Sequence, residues 1–245
     1  MAIETKNDSI DAILFDLDGT LLRVQMTEFI PQYIEGLAAY CRDWVKPRKF
    51  AKGMLKAIRE LIQCDGDGMT TNEQRVFATL HQQLAVPEEA LREAFSSYEQ
   101  NGLESLRGLV KPIPLARKII EECLAKNIPL VLATNPVFPE FMIRARLRWG
   151  GLADVGFQHL TSYENSCYCK PHAGYFSEVA EQLRVAPENC LMVGNDTSHD
   201  LSAAAVGMKT YLVDTWIVER EEAEWPCDNR GDHQALQCFL QQALV

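Results

Sequence analysis

Two carboxylates lie two residues apart near the start of the chain, in the segment Phe-Asp-Leu-Asp-Gly-Thr over residues 15–20. The apolar run from Ile13 to Phe15 predicts a buried strand, so Asp16 and Asp18 fall where this strand ends. Extended residues at positions i and i+2 face the same side, and two neighbouring carboxylates repel each other unless a cation or a proton transfer uses both. An Asp-rich turn is the alternative, but three later segments favour a functional site.

These later segments contain the groups that such a carboxylate pair would need. Polar side chains follow two further apolar runs or precede a predicted helix, and they are Thr134, Asn135, Lys170 and Asp196. Because the carboxyl ends of parallel strands meet at one edge of a sheet, we expect these side chains to gather there. Hard oxygen ligands without histidine or cysteine suit Mg²⁺.

Together these groups predict phosphoryl transfer. Asp16 would attack the phosphorus of a phosphate whose charge is offset by Mg²⁺ and by Lys170, and an aspartyl-phosphate would form. Asp18 would serve as general acid and then as general base, and the hydroxyl of Thr134 would bind a phosphoryl oxygen. Water would then release inorganic phosphate.

The elements that must position these residues fall into two groups. Residues 24–106 predict four amphipathic helices, which are Thr27 to Tyr40, Pro47 toward Ile62, Thr71 to Leu84 and Pro87 to Gln100. From residue 110 onward, helices alternate with apolar strands, which predicts an α/β fold with a mainly parallel sheet. We therefore expect a Rossmann-like core at residues 1–23 and 107–245, with a four-helix cap domain inserted at residues 24–106.

The alternation in the second half gives approximate bounds for each element. The predicted strands are 128–133, 155–160, 190–193 and 209–213, and the predicted helices are 115–126, 138–149, 175–183 and 201–206. Polar residues that follow the first and third of these strands would lie at the same edge of the sheet as Asp16.

Composition excludes several classes of partner. The chain has 245 residues, of which 47% are hydrophobic and 24% charged, as is usual for a globular protein. Its net charge of −10 argues against nucleic acid or an anionic membrane as a partner. There is no basic and apolar leader at the start and no apolar run of about 18 residues. The eight cysteines are scattered, so we expect reduced thiols in a cytoplasmic protein.

The same segments resemble the four ordered motifs of the haloacid dehalogenase-like hydrolase superfamily. The residues that carry the resemblance are Asp16, Asp18, Thr134, Asn135, Lys170, Asp196 and Asp200. The helical block resembles the C1 cap of this superfamily. The resemblance implies the phosphatase branch, in which Asp16, the main-chain carbonyl of Asp18 and Asp196 would hold Mg²⁺. Because the dehalogenase branch lacks the second aspartate, Asp18 favours phosphate over halide.

One position departs from the pattern of the superfamily. Many relatives have an aspartate directly after the glycine of the fourth motif, whereas this chain has Asn195 there and Asp196 next. Either Asp196 binds the metal directly, or Asn195 does so through its side-chain carbonyl while Asp196 and Asp200 act through waters. We favour Asp196.

Several other residues have more than one interpretation. Arg23 follows the first motif and could bind an anionic substrate from the cap hinge, or it could be a solvated arginine. We expect Arg144, Arg146 and Arg148 to form the solvated face of a helix. His172 and His199 border the third and fourth motifs without a zinc-ligand spacing, and we expect no catalytic role for either.

The pattern as a whole predicts a Mg²⁺-dependent phosphatase that acts on a small phosphorylated metabolite. Arg23, Thr134, Asn135 and Lys170 are the candidate substrate-binding residues. A phosphomutase of the same superfamily and a catalytically silent protein that binds a phosphometabolite are the alternatives.

Overall fold

A six-stranded sheet forms the centre of the computed structural model, which describes residues 9–221 and 225–244. The strands of the described chain are β1 (Ala12–Phe15), β2 (Leu22–Val24), β3 (Val110–Pro112), β4 (Leu130–Leu132), β5 (His159–Leu160), β6 (Cys190–Gly194), β7 (Lys209–Val213) and β8 (Asn229–Gly231). The main sheet has the order β5-β4-β1-β6-β7-β8, and every pair in it is parallel. The predicted α/β fold with a mainly parallel sheet is confirmed.

The central strands are buried on both faces, as their continuous apolar sequences predict. Every residue of β1, β4 and β6 is buried. One face of the sheet shares a core with the cap, whereas the other packs against the helix at 173–183. In the register of the sheet, Phe15 pairs with Leu132 on one side and with Val193 on the other. The segments that follow these three residues therefore emerge side by side.

Four helices lie between β2 and β3 and form the cap. They are α1 (Met26–Tyr40), α2 (Pro47–Gln63), α3 (Asn72–Leu84) and α4 (Glu88–Asn101). All four agree with the prediction to within one residue at each end, and a proline or a capping residue marks the start of α2, α3 and α4. Thr71 caps α3, for example, and forms a capping box with Gln74. The division of the chain into two domains at 24–106 stays a prediction.

The core contributes four further helices, α5 (Pro114–Ala125), α6 (Glu140–Trp149), α7 (Ala173–Leu183) and α8 (His233–Ala243). Two predicted elements differ from those observed. The strand predicted at 155–160 is limited to β5, because the amides of Val155 and Phe157 donate to carbonyls within local turns. The segment Leu201–Val206 is a 3₁₀ helix rather than an α-helix. No helix of the described residues has the length and apolarity that a membrane span requires.

Candidate active site

Lys170 joins two carboxylates at the carboxyl edge of the sheet. Its Nζ lies 3.0 Å from Oδ1 of Asp16, which follows β1, and 2.6 Å from Oδ1 of Asp200, which follows β6. The lysine side chain is only 1% exposed. The structure thus brings together residues that are 154 and 30 positions apart in sequence, as the parallel topology predicts.

Burial, together with the neighbouring charges, shifts the pKa values of Asp16 and Lys170. Burial raises the pKa of Asp16 to about 7, and the nearby Asp200 and Asp18 act in the same direction, whereas Lys170 opposes them. Burial alone would lower the pKa of Lys170, but Asp16 and Asp200 raise it above its usual value. Lys170 therefore stays an ammonium ion, and the site could accept a further cation.

Asp200 also shapes the loop after β6. Its Oδ2 accepts hydrogen bonds from the backbone N–H groups of Asn195 and Asp196, both at 2.9 Å. A Cβ atom on Gly194 would lie only 2.1 Å from this oxygen, so a glycine is required there. Asp200 therefore orients both Lys170 and the fourth motif.

Thr134 and Asn135 follow β4 and line the same cleft as Asp16 and Lys170. The carbonyl of Thr134 accepts hydrogen bonds from the hydroxyls of Thr161 and Tyr175, which fixes the backbone of the loop. Nδ2 of Asn135 donates to the carbonyl of Lys170 at 3.3 Å. The predicted substrate-binding residues Thr134 and Asn135 thus share this cleft with Asp16.

Asp18 contacts a residue that the sequence pattern assigned to solvent. Nη1 of Arg146 donates to Oδ2 of Asp18 at 2.5 Å, and the side chain of Arg146 is 0% exposed. The expectation of a solvated Arg146 is therefore wrong, although Arg144 and Arg148 are exposed. The spacing in the sequence could have indicated that Arg146 is buried. Arg146 follows the buried residue Met142 by four positions, so both lie on the apolar stripe of α6.

The carboxylate of Asp196 accepts hydrogen bonds from a side chain and from the backbone. Nε of Arg220 lies 2.9 and 2.8 Å from its two oxygens, and the N–H groups of Ser198 and His199 donate to Oδ1. Burial tends to raise the pKa of Asp196, but the hydrogen bonds from Arg220 lower it below its usual value. Asn195 lies against Gly19, and its Nδ2 donates to the carbonyl of Trp216. The sequence offered no signal for Arg220, which lies outside the four motifs.

The cleft lies between the sheet edge and the cap and has a volume of about 650 Å³. Its cap side is largely apolar and includes Ile30, Ile58 and Ile62. Arg23 also lines the cleft, with its guanidinium 5.8 Å from the centre of the Trp216 ring. The site is thus polar at the sheet and apolar at the cap.

A divalent cation suits part of this site. The donors are hard oxygens, Asp16 carries an unfavourable buried charge, and the buried Oδ1 of Asp18 has no hydrogen-bond partner among the described residues. In residues 9–221 and 225–244, no three His, Cys, Asp or Glu side chains are grouped to hold a metal ion. Both oxygens of Asp196 accept hydrogen bonds from Arg220, so a metal ion would compete with Arg220 for this carboxylate. The choice between Asn195 and Asp196 stays a prediction.

Comparison with known proteins defines the family. The model of the haloacid dehalogenase-like hydrolase family matches residues 10–207. This chain is therefore a haloacid dehalogenase-like hydrolase, and the resemblance of its motifs is confirmed. A comparison with curated protein sequences gives no match.

Solved structures show the same fold with different chemistries. A phosphatase of this family from Thermococcus onnurineus is 20% identical, with 96% of this chain and 100% of that chain covered and a TM-score of 0.60. An L-2-haloacid dehalogenase is 17% identical, with 95% and 99% covered and a TM-score of 0.58. A protein assigned as a beta-phosphoglucomutase, from Thermotoga maritima, is 19% identical, with 95% and 99% covered and a TM-score of 0.56. At these identities the similarity extends to the fold and not to the substrate.

Proposed function

We propose that this hydrolase is a Mg²⁺-dependent phosphatase that cleaves a small phosphomonoester through an aspartyl-phosphate. The observation that carries the proposal is the buried contact of Lys170 with Asp16, beside a second aspartate, Asp18, that lines the same cleft. A nucleophile, a proton carrier and a fixed positive charge are the groups that phosphoryl transfer needs.

Asp16 attacks the phosphorus, and the bond from phosphorus to the leaving oxygen breaks. Asp18 gives its proton to that oxygen, so the alcohol leaves in neutral form. Asp18 then takes a proton from the water that attacks the aspartyl-phosphate, and inorganic phosphate leaves with Asp16 restored. Lys170 offsets the charge on Asp16 and on the phosphoryl group, and the Thr134 hydroxyl binds a phosphoryl oxygen.

Mg²⁺, when bound, would neutralise phosphate charge and orient the substrate. Asp16, the main-chain carbonyl of Asp18 and Asp196 are the proposed ligands, with Asn195 as the alternative to Asp196. Asn135 and Arg23 complete the proposed substrate site. The substrate would be a small phosphorylated metabolite, and the location would be the cytoplasm.

The dehalogenase among the similar structures makes halide release the first competitor. Asp18 favours the phosphatase, because displacement of halide requires no proton donor for the leaving group. The test is hydrolysis of p-nitrophenyl phosphate and of 2-chloropropionate with and without Mg²⁺. We expect Mg²⁺-dependent release of p-nitrophenol that is lost in Asp16→Asn, and no chloride release. Chloride release without phosphatase activity would contradict the proposal.

A phosphomutase is the second candidate because of the similarity to the beta-phosphoglucomutase from Thermotoga maritima. A mutase would pass the phosphoryl group from Asp16 to a second sugar hydroxyl instead of to water. Conversion of a sugar 1-phosphate into the 6-phosphate, dependent on a bisphosphate primer, would establish this activity. Binding of phosphometabolites without any turnover would instead indicate a silent member of the family.

A further inference from the structure

Arg146 is a fully buried cation beside the proposed acid and base. Its neighbours on α6, Met142, Ile143, Ala145 and Leu147, are also buried. An isolated charge in such surroundings is strongly unfavourable, so a compensating partner is needed. Asp18 is that partner, at 2.5 Å between Nη1 and Oδ2.

Two aromatic rings hold the guanidinium in place. Its central carbon lies 4.8 Å from the ring centre of Phe138, which precedes α6, and 5.5 Å from the ring centre of Phe29, on cap helix α1. The planar guanidinium stacks favourably on aromatic faces, whereas the compact ammonium of a lysine does so less well. Arg146 therefore links Asp18 to both the core and the cap.

Several other polar atoms of Arg146 and Asp18 are buried without a hydrogen bond to any described residue. Nε and Nη2 of Arg146 have no hydrogen-bond partner among the described residues, and neither has Oδ1 of Asp18. Such unpaired buried groups are costly, which makes a purely structural ion pair a poor explanation. Arg146 thus holds Oδ2 of Asp18, whereas Oδ1 makes no hydrogen bond to the described residues. Asp18 also lines the substrate cleft.

We propose that Arg146 is a positioning residue, which holds Oδ2 of Asp18 so that Oδ1 is directed to transfer protons during phosphoester hydrolysis. This inference rests on the proposed phosphatase function. A proton carrier must be held in a productive geometry, and displacement of a catalytic group by about 1 Å can cost on the order of 10²-fold in rate. Arg146 contributes this geometry without contacting the substrate.

The test compares two phosphate esters in Arg146→Gln and Arg146→Lys. p-Nitrophenolate leaves without a proton, so kcat/KM for p-nitrophenyl phosphate should change less than about threefold, whereas its kcat should fall because the later attack of water still needs Asp18. An alkyl phosphate needs a protonated leaving group, and its kcat/KM should fall on the order of 10²-fold. Arg146→Lys should restore only part of this loss.

Arg144→Gln is the matched control, because Arg144 lies on the same helix with 65% of its side chain exposed and pairs with Glu140. It should leave both esters unaffected. An equal loss of kcat/KM for both esters in Arg146→Gln would indicate a structural role and overturn the inference. A wild-type protein inactive on every phosphomonoester would overturn the proposed function, and this inference with it.

If Arg146→Gln does not fold, a second comparison still tests the inference. The double variant Asp18→Asn/Arg146→Gln removes both charges, so no unpaired buried ion remains. If Arg146 acts through Asp18, the double variant should match Asp18→Asn in kcat for p-nitrophenyl phosphate, because kcat for this ester includes the attack of water that needs Asp18. Thermal unfolding of each variant shows whether it is folded. A further loss of more than about tenfold in a folded double variant would overturn the inference.

Discussion

Arg220 binds both carboxylate oxygens of Asp196, with Nε at 2.9 and 2.8 Å and Nη2 at 2.7 Å from Oδ2. The backbone of the same segment is joined to the fourth motif, because the N–H of Val218 donates to the carbonyl of Asn195 and the N–H of Thr197 to that of Val218. The guanidinium of Arg220 therefore pairs with Asp196, the carboxylate that was predicted to bind the metal ion.

Replacement of Arg220 should strengthen Mg²⁺ binding. Arg220→Gln removes a positive charge and frees the oxygens of Asp196, so we expect the apparent affinity for Mg²⁺ to rise several-fold. Asp196→Ala should weaken the affinity far more than Asn195→Ala. Calorimetric titration of Mg²⁺ into each variant measures these effects, with the exposed Arg42→Gln as the control. A greater loss in Asn195→Ala would assign the ligand to Asn195 instead.

Ionisation of Asp16 should destabilise the metal-free fold. Burial raises its pKa to about 7 from an ordinary value of 3.8, so the folded state holds the proton more tightly than the unfolded state. The stabilisation is present below about pH 4 and is lost as the pH rises through 7. In EDTA, Asp16→Asn should therefore gain thermal stability over the wild type between pH 4 and pH 8, by at least about 3 °C.

The exposed Asp43→Asn is the control for this pH series, since the side chain of Asp43 is 84% exposed. Its melting temperature should follow that of the wild type at every pH. A constant difference between Asp16→Asn and the wild type from pH 4 to pH 8 would contradict the predicted ionisation.

Asp200 should be essential for the position of Lys170. Asp200→Asn weakens the 2.6 Å contact with the ammonium, and we expect kcat to fall roughly 10²-fold. Gly194→Ala should produce a similar loss, because the new Cβ would lie 2.1 Å from Oδ2 of Asp200 and displace it. Gly108→Ala is the matched control, since a Cβ atom added there would meet nothing within 4 Å beyond its chain neighbours. Full activity in Gly194→Ala would contradict this role of Asp200.

The sequence was sufficient for the parts of the site that follow from topology. Asp16 and Lys170 are 154 positions apart, yet their proximity was predictable, because parallel strands bring their carboxyl ends to one edge. Arg146 was not predictable in the same way. Its charge favoured solvent, whereas the tertiary contacts with Asp18 and Phe138 stabilise it inside the core.

The segment with Trp216 and Arg220 shows a second limit of prediction. It has no helical or alternating pattern, and long-range hydrogen bonds to Asn195 and Thr197 hold it in place. Such contacts depend on the folded loop after β6, so they carry no local signal. The short antiparallel pair β2 and β3 was missed for a related reason, because each strand has only three residues.

Asn72 should control how firmly the cap binds the core. This fully buried residue begins α3, and its Nδ2 donates to the carbonyls of Pro136 and Tyr168 at 3.3 and 3.0 Å. Asn72→Ala leaves both carbonyls without this donor, and we expect a loss of about 1–3 kcal/mol in the free energy of unfolding. Hydrogen exchange at the backbone amide of Glu73, which donates to the carbonyl of Tyr163, should accelerate as the cap loosens.

The matched control is Asn101→Ala, because Asn101 lies at the exposed end of α4 and its side chain donates to the carbonyl of Ser97 in the same helix. In Asn101→Ala, hydrogen exchange at the backbone amide of Glu73 should equal that of the wild type. Because residues of the cap line one side of the cleft, a loosened cap should bind the substrate less tightly, so Asn72→Ala should also raise KM for phosphate esters more than it lowers kcat. Unchanged exchange at Glu73 in a destabilised Asn72→Ala would mean that the cap is held mainly by β2, β3 and the shared apolar core.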